Sequence, residues 1–89
     1  MHITLTPAQA FGRAIVLVRT LQGCDRKGLA LDAGVSYPYL SEIEVGRKEP
    51  SAEVVRKLAY VLMVTVASLH KLAERIERGE NVLGMEVAA

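Results

Sequence analysis

Apolar residues along the chain recur at intervals of three and four, and short polar breaks separate the stretches that carry them. This spacing predicts amphipathic helices, with no strand-like alternation. Phe11, Ile15, Val18 and Leu21 or Gln22 share one face of a first helix. Thr6 caps its start, Pro7 suits the first helical position, and Gln9 completes a capping box. Gly23 ends it after Leu21. Asp25 caps a short second helix through Ala33, with Leu29, Ala30 and Ala33 as its buried side. Gly34 stands where a helix end needs a left-handed residue. Ser36 caps a third helix, which tolerates Pro38 in its first turn. Tyr39, Leu40 and Ile43 supply its apolar contacts and Gly46 ends it. After a polar turn at residues 47–50, Ser51 caps a fourth helix to about Leu62. Val54 or Val55, Leu58, Ala59 and Leu62 face inward there. Thr65 caps a fifth helix to about Arg78, striped by Leu69, Leu72, Ala73 and Ile76. The expected fold is all-α: five compact helices in one domain at residues 1–78, then a weakly patterned tail at 79–89.

Composition narrows the class. A chain of 89 residues, 51% hydrophobic, suits one domain and a packed core. It sits near the size at which stability is marginal. Aromatics make up 4% and Trp is absent, so the core must come from Leu, Val, Ile and Ala. The formal net charge of +1 leaves nucleic acid open, because placement matters more than the sum. A single cysteine excludes an internal disulfide and suits a reducing cytoplasm, the expected location. The first ten residues do not read as a signal peptide, and the apolar run at 14–18 is far too short to span a membrane. His2 and His70 lack ligand partners at metal spacing, so no metal or cofactor is expected. No nucleophile–base pair, phosphate loop or paired carboxylates point to an enzyme.

The segment from Asp25 to Val45, the core of the domain's function, reads as two short helices joined by a tight glycine turn, a helix-turn-helix. Ala30 is small where the helices cross, Gly34 makes the sharp turn, and Val35 plugs it. Leu40 and Ile43 anchor the second helix, leaving Tyr37, Pro38, Ser41 and Glu42 facing out. Arg26 and Lys27 precede it and Arg47 and Lys48 follow it. Such flanking cations can straddle a groove and set register on phosphates. Glu42 can accept from a cytosine amino group, and Tyr37 can pack on a thymine methyl or bond a phosphate.

The runs Ala33-Gly34-Val35-Ser36, Tyr39-Leu40-Ser41, Ile43-Glu44, Gly46-Arg47-Lys48 and Pro50-Ser51 resemble the Cro/repressor-type, or XRE-like, DNA-binding family. The match extends to Phe11-Gly12, Ile15, Arg19 and Gly23 upstream and to Leu58-Ala59, Leu62 and Leu69 downstream, without gaps over residues 10–75. The resemblance implies a five-helix domain whose third helix enters the major groove, acting as a two-fold dimer. It places Ser36, Tyr37, Pro38, Ser41 and Glu42 toward bases or flanking phosphates, and Arg47 and Lys48 on the backbone. It also pairs Arg19 with Glu44 as a structural tie. Arg26 stands where the family often has Gln, and a charged phosphate contact is the expected substitute. Met63 stands where the family commonly has Gly, and is strained if the backbone there is left-handed. Gly28 inside the second helix is expected to cost about 1 kcal/mol relative to Ala.

Some residues keep two readings. Tyr39 is either a packed aromatic or a phosphate contact. Cys24 reads as a small core residue ahead of a redox switch. Tyr60, Met63, Val64, Val66, Val82, Leu83 and Met85 exceed what one small core needs and are expected at a homodimer surface. The other reading is a larger monomer core with the tail folded back. The function expected is a sequence-specific double-stranded DNA-binding transcriptional regulator, a repressor or autoregulator, reading the major groove with residues 36–45 as a homodimer. The alternative is a protein-interaction module, or an antitoxin-like partner of a toxin or another regulator, that keeps the fold with weak or no DNA binding.

Overall fold

A computed structural model describes residues 4–80. Five helices follow one another: α1 (Pro7–Leu21), α2 (Arg26–Ala33), α3 (Tyr37–Glu44), α4 (Ala52–Leu62) and α5 (Val66–Glu77). No strand occurs among the described residues.

Each helix carries its own start and stop. The Thr6 hydroxyl accepts from the Gln9 N–H at 3.0 Å, and the Gln9 side chain accepts from the Thr6 N–H at 2.9 Å, the expected capping box. Asp25, Ser36, Ser51 and Thr65 accept likewise from the third residue onward in the next four helices. Each cap satisfies a backbone donor that the helix cannot satisfy itself. A Cβ at Gly28 would lie 3.1 Å from the capping Asp25 carboxylate, a tight contact with a side-chain atom.

The five C-termini share one hydrogen-bonding pattern, a Schellman motif around a left-handed residue. In α2 the Gly34 N–H bonds to the Leu31 carbonyl at 3.2 Å and the Val35 N–H to the Ala30 carbonyl at 3.0 Å. Gly23, Gly46 and Gly79 serve in the same way. At the end of α4 the residue is Met63, with φ 60° and ψ 37°. It is the one non-glycine residue with positive φ among those described. The strain expected for Met63 is therefore present.

α1 packs mainly on α5 and α3, while α2 packs on α3 and α4. Ile15, Leu29, Leu40, Ile43, Leu58, Leu62 and Leu69 are fully buried at the centre. Val55, rather than Val54, is the buried member of its pair. Leu21 does not join the core. It is 59% exposed, because α1 runs past the edge of the core by its last turn. Gln22 is exposed as well, so neither closes the buried face; its amide donates to the Leu62 carbonyl at 2.6 Å and ties the end of α1 to the end of α4. Half-buried Leu72 and Ile76 line the margin of α5. Where α1 crosses α3 the backbones meet directly. A Cβ at Gly12 would run into the carbonyls of Ile43 and Glu44. That contact fixes the height of α3 against the scaffold without any side chain between them.

Candidate nucleic-acid interface

The α2–turn–α3 unit has the geometry the sequence implies. Ala30 and Ala33 are buried, Gly34 is left-handed, and Val35 packs against the core from the turn. Leu40 and Ile43 anchor the inner side of α3. Its outer side begins with Tyr37, 48% exposed, and the exposed Pro38. Ser36 spends its lone pair on the Tyr39 N–H at 3.1 Å, which leaves its O–H to donate outward. Tyr39 is half-buried and packs against the core. Glu42 is half-buried and forms a loose ion pair with Lys48 at 3.8 Å. The carboxylate on this face is thus paired by a cation of the following loop. Lys27, Arg47 and Lys48 are exposed. The loop that carries Arg47 and Lys48 is held by their N–H groups, which bond to the Glu42 carbonyl at 2.9 and 3.4 Å. Gly46, at φ 84°, lets this loop turn against α1, where a Cβ would strike the Gln9 backbone.

One charged cluster ties the unit together. The Glu44 side chain is 1% exposed, at the end of α3. Arg19 grips it as a fork, with Nε to Oε2 at 2.7 Å and Nη2 to Oε1 at 3.0 Å. Its third nitrogen donates to the Cys24 carbonyl at 3.3 Å. The tie expected between Arg19 and Glu44 is present in bidentate form, the strongest geometry for such a pair. A second cation completes the site: Arg26 Nε donates to Glu44 Oε1 at 2.7 Å. Arg26 Nη1 continues to the Ser41 hydroxyl at 3.2 Å and the Tyr37 hydroxyl at 3.5 Å. The Arg26 guanidinium also lies 5.7 Å from the centre of the Tyr37 ring, within cation–π range. Hydrogen bonding to Glu44 raises both guanidinium pKa values above their usual range, with burial opposing the rise. Burying a carboxylate is costly unless its oxygens are satisfied, and here both are. No described buried side-chain nitrogen or oxygen lacks a partner.

A family model for the helix-turn-helix matches residues 15–69. The chain belongs to that family, in its XRE-type branch of transcriptional regulators. Among helix-turn-helix relatives, the uncharacterised HTH-type transcriptional regulator YazB of Bacillus subtilis is 37% identical over 62 residues. That alignment spans 70% of this chain and 90% of YazB. The chain spans only 38% to 58% of further curated regulators that it matches. Among solved structures, the clp gene regulator ClgR of Corynebacterium glutamicum superposes with a TM-score of 0.82 at 29% identity. It covers 97% of this chain and 90% of ClgR. The restriction–modification controller C.AhdI of Aeromonas hydrophila superposes with a TM-score of 0.68 at 27% identity, over 70% of this chain and 94% of that one.

Within this helix-turn-helix domain, sequence reasoning missed the inward role of Arg26. A signal was available in the charges themselves. Arg26 is a cation at the N-terminal end of α2, and Glu44 is an anion in the last turn of α3. Each sits at the helix end that the backbone dipole disfavours. Their mutual pairing accounts for both. The expected seam is only partly open. Tyr60 is 85% and Met63 88% exposed, while Val64 and Val66 lie half-buried against the core. Val82, Leu83 and Met85 fall outside the described residues. The His70 ring lies tilted by 39° against Phe11 with ring centres 5.5 Å apart, a packing role for the histidine. Cys24 is a half-buried free thiol beside the core. No described helix is long and apolar enough to cross a membrane.

Proposed function

We propose that the chain represses or autoregulates transcription by binding a double-stranded operator as a homodimer, with α3 in the major groove. The observation that carries this reading is the exposed start of α3 set between exposed cations. Lys27 stands on one side, with Arg47 and Lys48 on the other. Tyr37, Pro38 and the outward-facing part of Ser36 and Ser41 present base-contacting groups, and the lysines and Arg47 take phosphates. Glu42 reads a base only when Lys48 releases it to a phosphate. One further feature supports dimerisation. Tyr60 and Met63 are large apolar residues left in water at the α4–α5 junction, the kind of patch that marks an interface. The domain boundary between residues 78 and 79 belongs to the same proposal, supported by the end of α5 at Glu77.

The test is a salt titration of binding to DNA selected from a random pool. Arg47→Ala and Lys48→Ala should each weaken all sequences similarly and reduce the salt slope by about 0.9 per lost phosphate. Unchanged affinity and slope in both variants, or no binding at low salt, refutes the reading. Sedimentation at micromolar concentration should show a dimer that Tyr60→Glu dissociates, and deletion of residues 81–89 reads the contribution of the tail. A monomer indifferent to both changes refutes the dimer.

A further inference from the structure

Arg26 stands where a phosphate contact is expected, yet its side chain is committed elsewhere. Two of its three nitrogens are engaged with protein: Nε with Glu44, and Nη1 with Ser41 and Tyr37. The last two lie on the face of α3 that is proposed to read bases. A guanidinium is planar, and its donors diverge in a fixed fork. Once Nε is pinned on the buried carboxylate, the direction of Nη1 is fixed as well. The Tyr37 ring is held both by its hydroxyl and by the guanidinium beside its face. Glu44 is itself immobile, because Arg19 grips it from α1.

We propose that Arg26 is a positioning residue that sets sequence discrimination by holding Tyr37 and Ser41 in their reading rotamers, and is not a phosphate anchor. The proposal rests on the DNA-binding reading above. A side chain ordered before binding loses no rotamer freedom on binding, and one or two such side chains correspond to about three- to tenfold in affinity for the correct site. A phosphate contact acts differently, adding affinity to every sequence and one counterion to the salt slope.

The structure also says why the test is clean. Without Arg26, Glu44 keeps its bidentate partner Arg19, so no buried charge is orphaned and the domain should fold. Arg26→Gln and Arg26→Lys are compared with the wild type on the selected operator, on single-base variants of it and on unrelated DNA. The expected result is that both variants lose about three- to tenfold in discrimination. Non-specific affinity stays near the wild type, and the salt slope changes by less than about 0.3. In a double-mutant cycle with Ser41→Ala the combined loss should fall short of the sum, because the Arg26–Ser41 hydrogen bond is common to both. In the free protein, NMR should show an exchange-protected Arg26 Nε–H, and ring signals of Tyr37 that shift in both variants.

A uniform loss across all sequences, with the slope reduced by about 0.9 in Arg26→Gln and restored in Arg26→Lys, identifies a phosphate anchor and overturns the proposal. Unchanged discrimination in both variants overturns it too, leaving a structural tie alone. Wild-type protein that binds no DNA refutes the DNA-binding reading and the discrimination role with it. A wild type that binds but whose Arg26 variants discriminate normally refutes only the role of Arg26.

Discussion

Replacing Met63 by glycine should stabilise the domain although it removes a whole side chain. Met63 holds φ 60°, where a residue bearing a Cβ is disfavoured by about 1–2 kcal/mol. Glycine removes that penalty and adds back some unfolded-state entropy, about 0.5–1 kcal/mol. The side chain returns little, because it is 88% exposed. Burying a Met fully is worth about 2 kcal/mol, so the lost packing is only about 0.2 kcal/mol. The net expectation is a gain of about 0.5 kcal/mol, within a range of roughly 0 to 1. At about 4–8 °C per kcal/mol for a domain of this size, Tm rises by about 2–4 °C. Met63→Ala is the control: it keeps the Cβ and its strain, and should be neutral or slightly destabilised. Thermal unfolding is followed by circular dichroism at several protein concentrations. The concentrations matter because Met63 is also proposed at the dimer seam, where glycine should weaken association while it stabilises the monomer. A glycine variant no more stable than alanine in dilute protein would refute the strain argument.

Other substitutions test the scaffold. Gly12→Ala should gain about 1 kcal/mol of helix propensity. It should lose more to the overlap with the Ile43 and Glu44 carbonyls, for a net destabilisation of about 2 kcal/mol in urea unfolding. Glu44→Ala should cost about 3–5 kcal/mol, because it strips two cations of one shared anion. That is a large share of the roughly 4–13 kcal/mol available to a chain of this length. Arg26→Gln, on a part-exposed partner, should cost no more than about 1 kcal/mol; equal losses from the two would contradict the hierarchy. Arg78, then Arg75, hold the Glu80 carboxyl below its usual value of 4.5 by hydrogen bonding. The folded-state pKa is lowered, so this pairing is intact above 4.5 and fades as pH falls through the lower folded value. An NMR titration should show a Glu80 midpoint under 4.5 that moves up in Arg78→Ala.

The helices were legible because their signals are local. Thr6, Asp25, Ser36, Ser51 and Thr65 each announce a start, and Gly23, Gly34 and Gly46 each announce an end, within a few residues. The spacing of Phe11, Ile15, Leu58 and Leu69 identified the buried faces for the same reason. What escaped the sequence depends on distances across the fold. Nothing near Gly12 says that α3 will lie against it. Leu21 follows the periodicity of α1, but periodicity carries no information about where the core runs out. Arg26 looked like a surface cation because its partner is 18 residues away in sequence. The family resemblance pointed to the outer side of α3, and only side-chain geometry showed that Arg26 turns inward to Glu44.

The self-contained boundaries of the five helices have a kinetic consequence. Every cap and every closing turn links residues no more than six apart. Helix limits can therefore be set before any long loop is closed, and chains dominated by such short-range contacts fold in microseconds to milliseconds. The bond between Arg19 and Glu44 spans 25 residues and cannot form until α1 and α3 have met. Changes at the caps should slow the approach to the transition state, whereas changes at Glu44 should chiefly speed escape from the native state. The lifetime of the folded helix-turn-helix thus rests on an ion pair, while its rate of appearance is governed by hydroxyls and carboxylates at the helix starts.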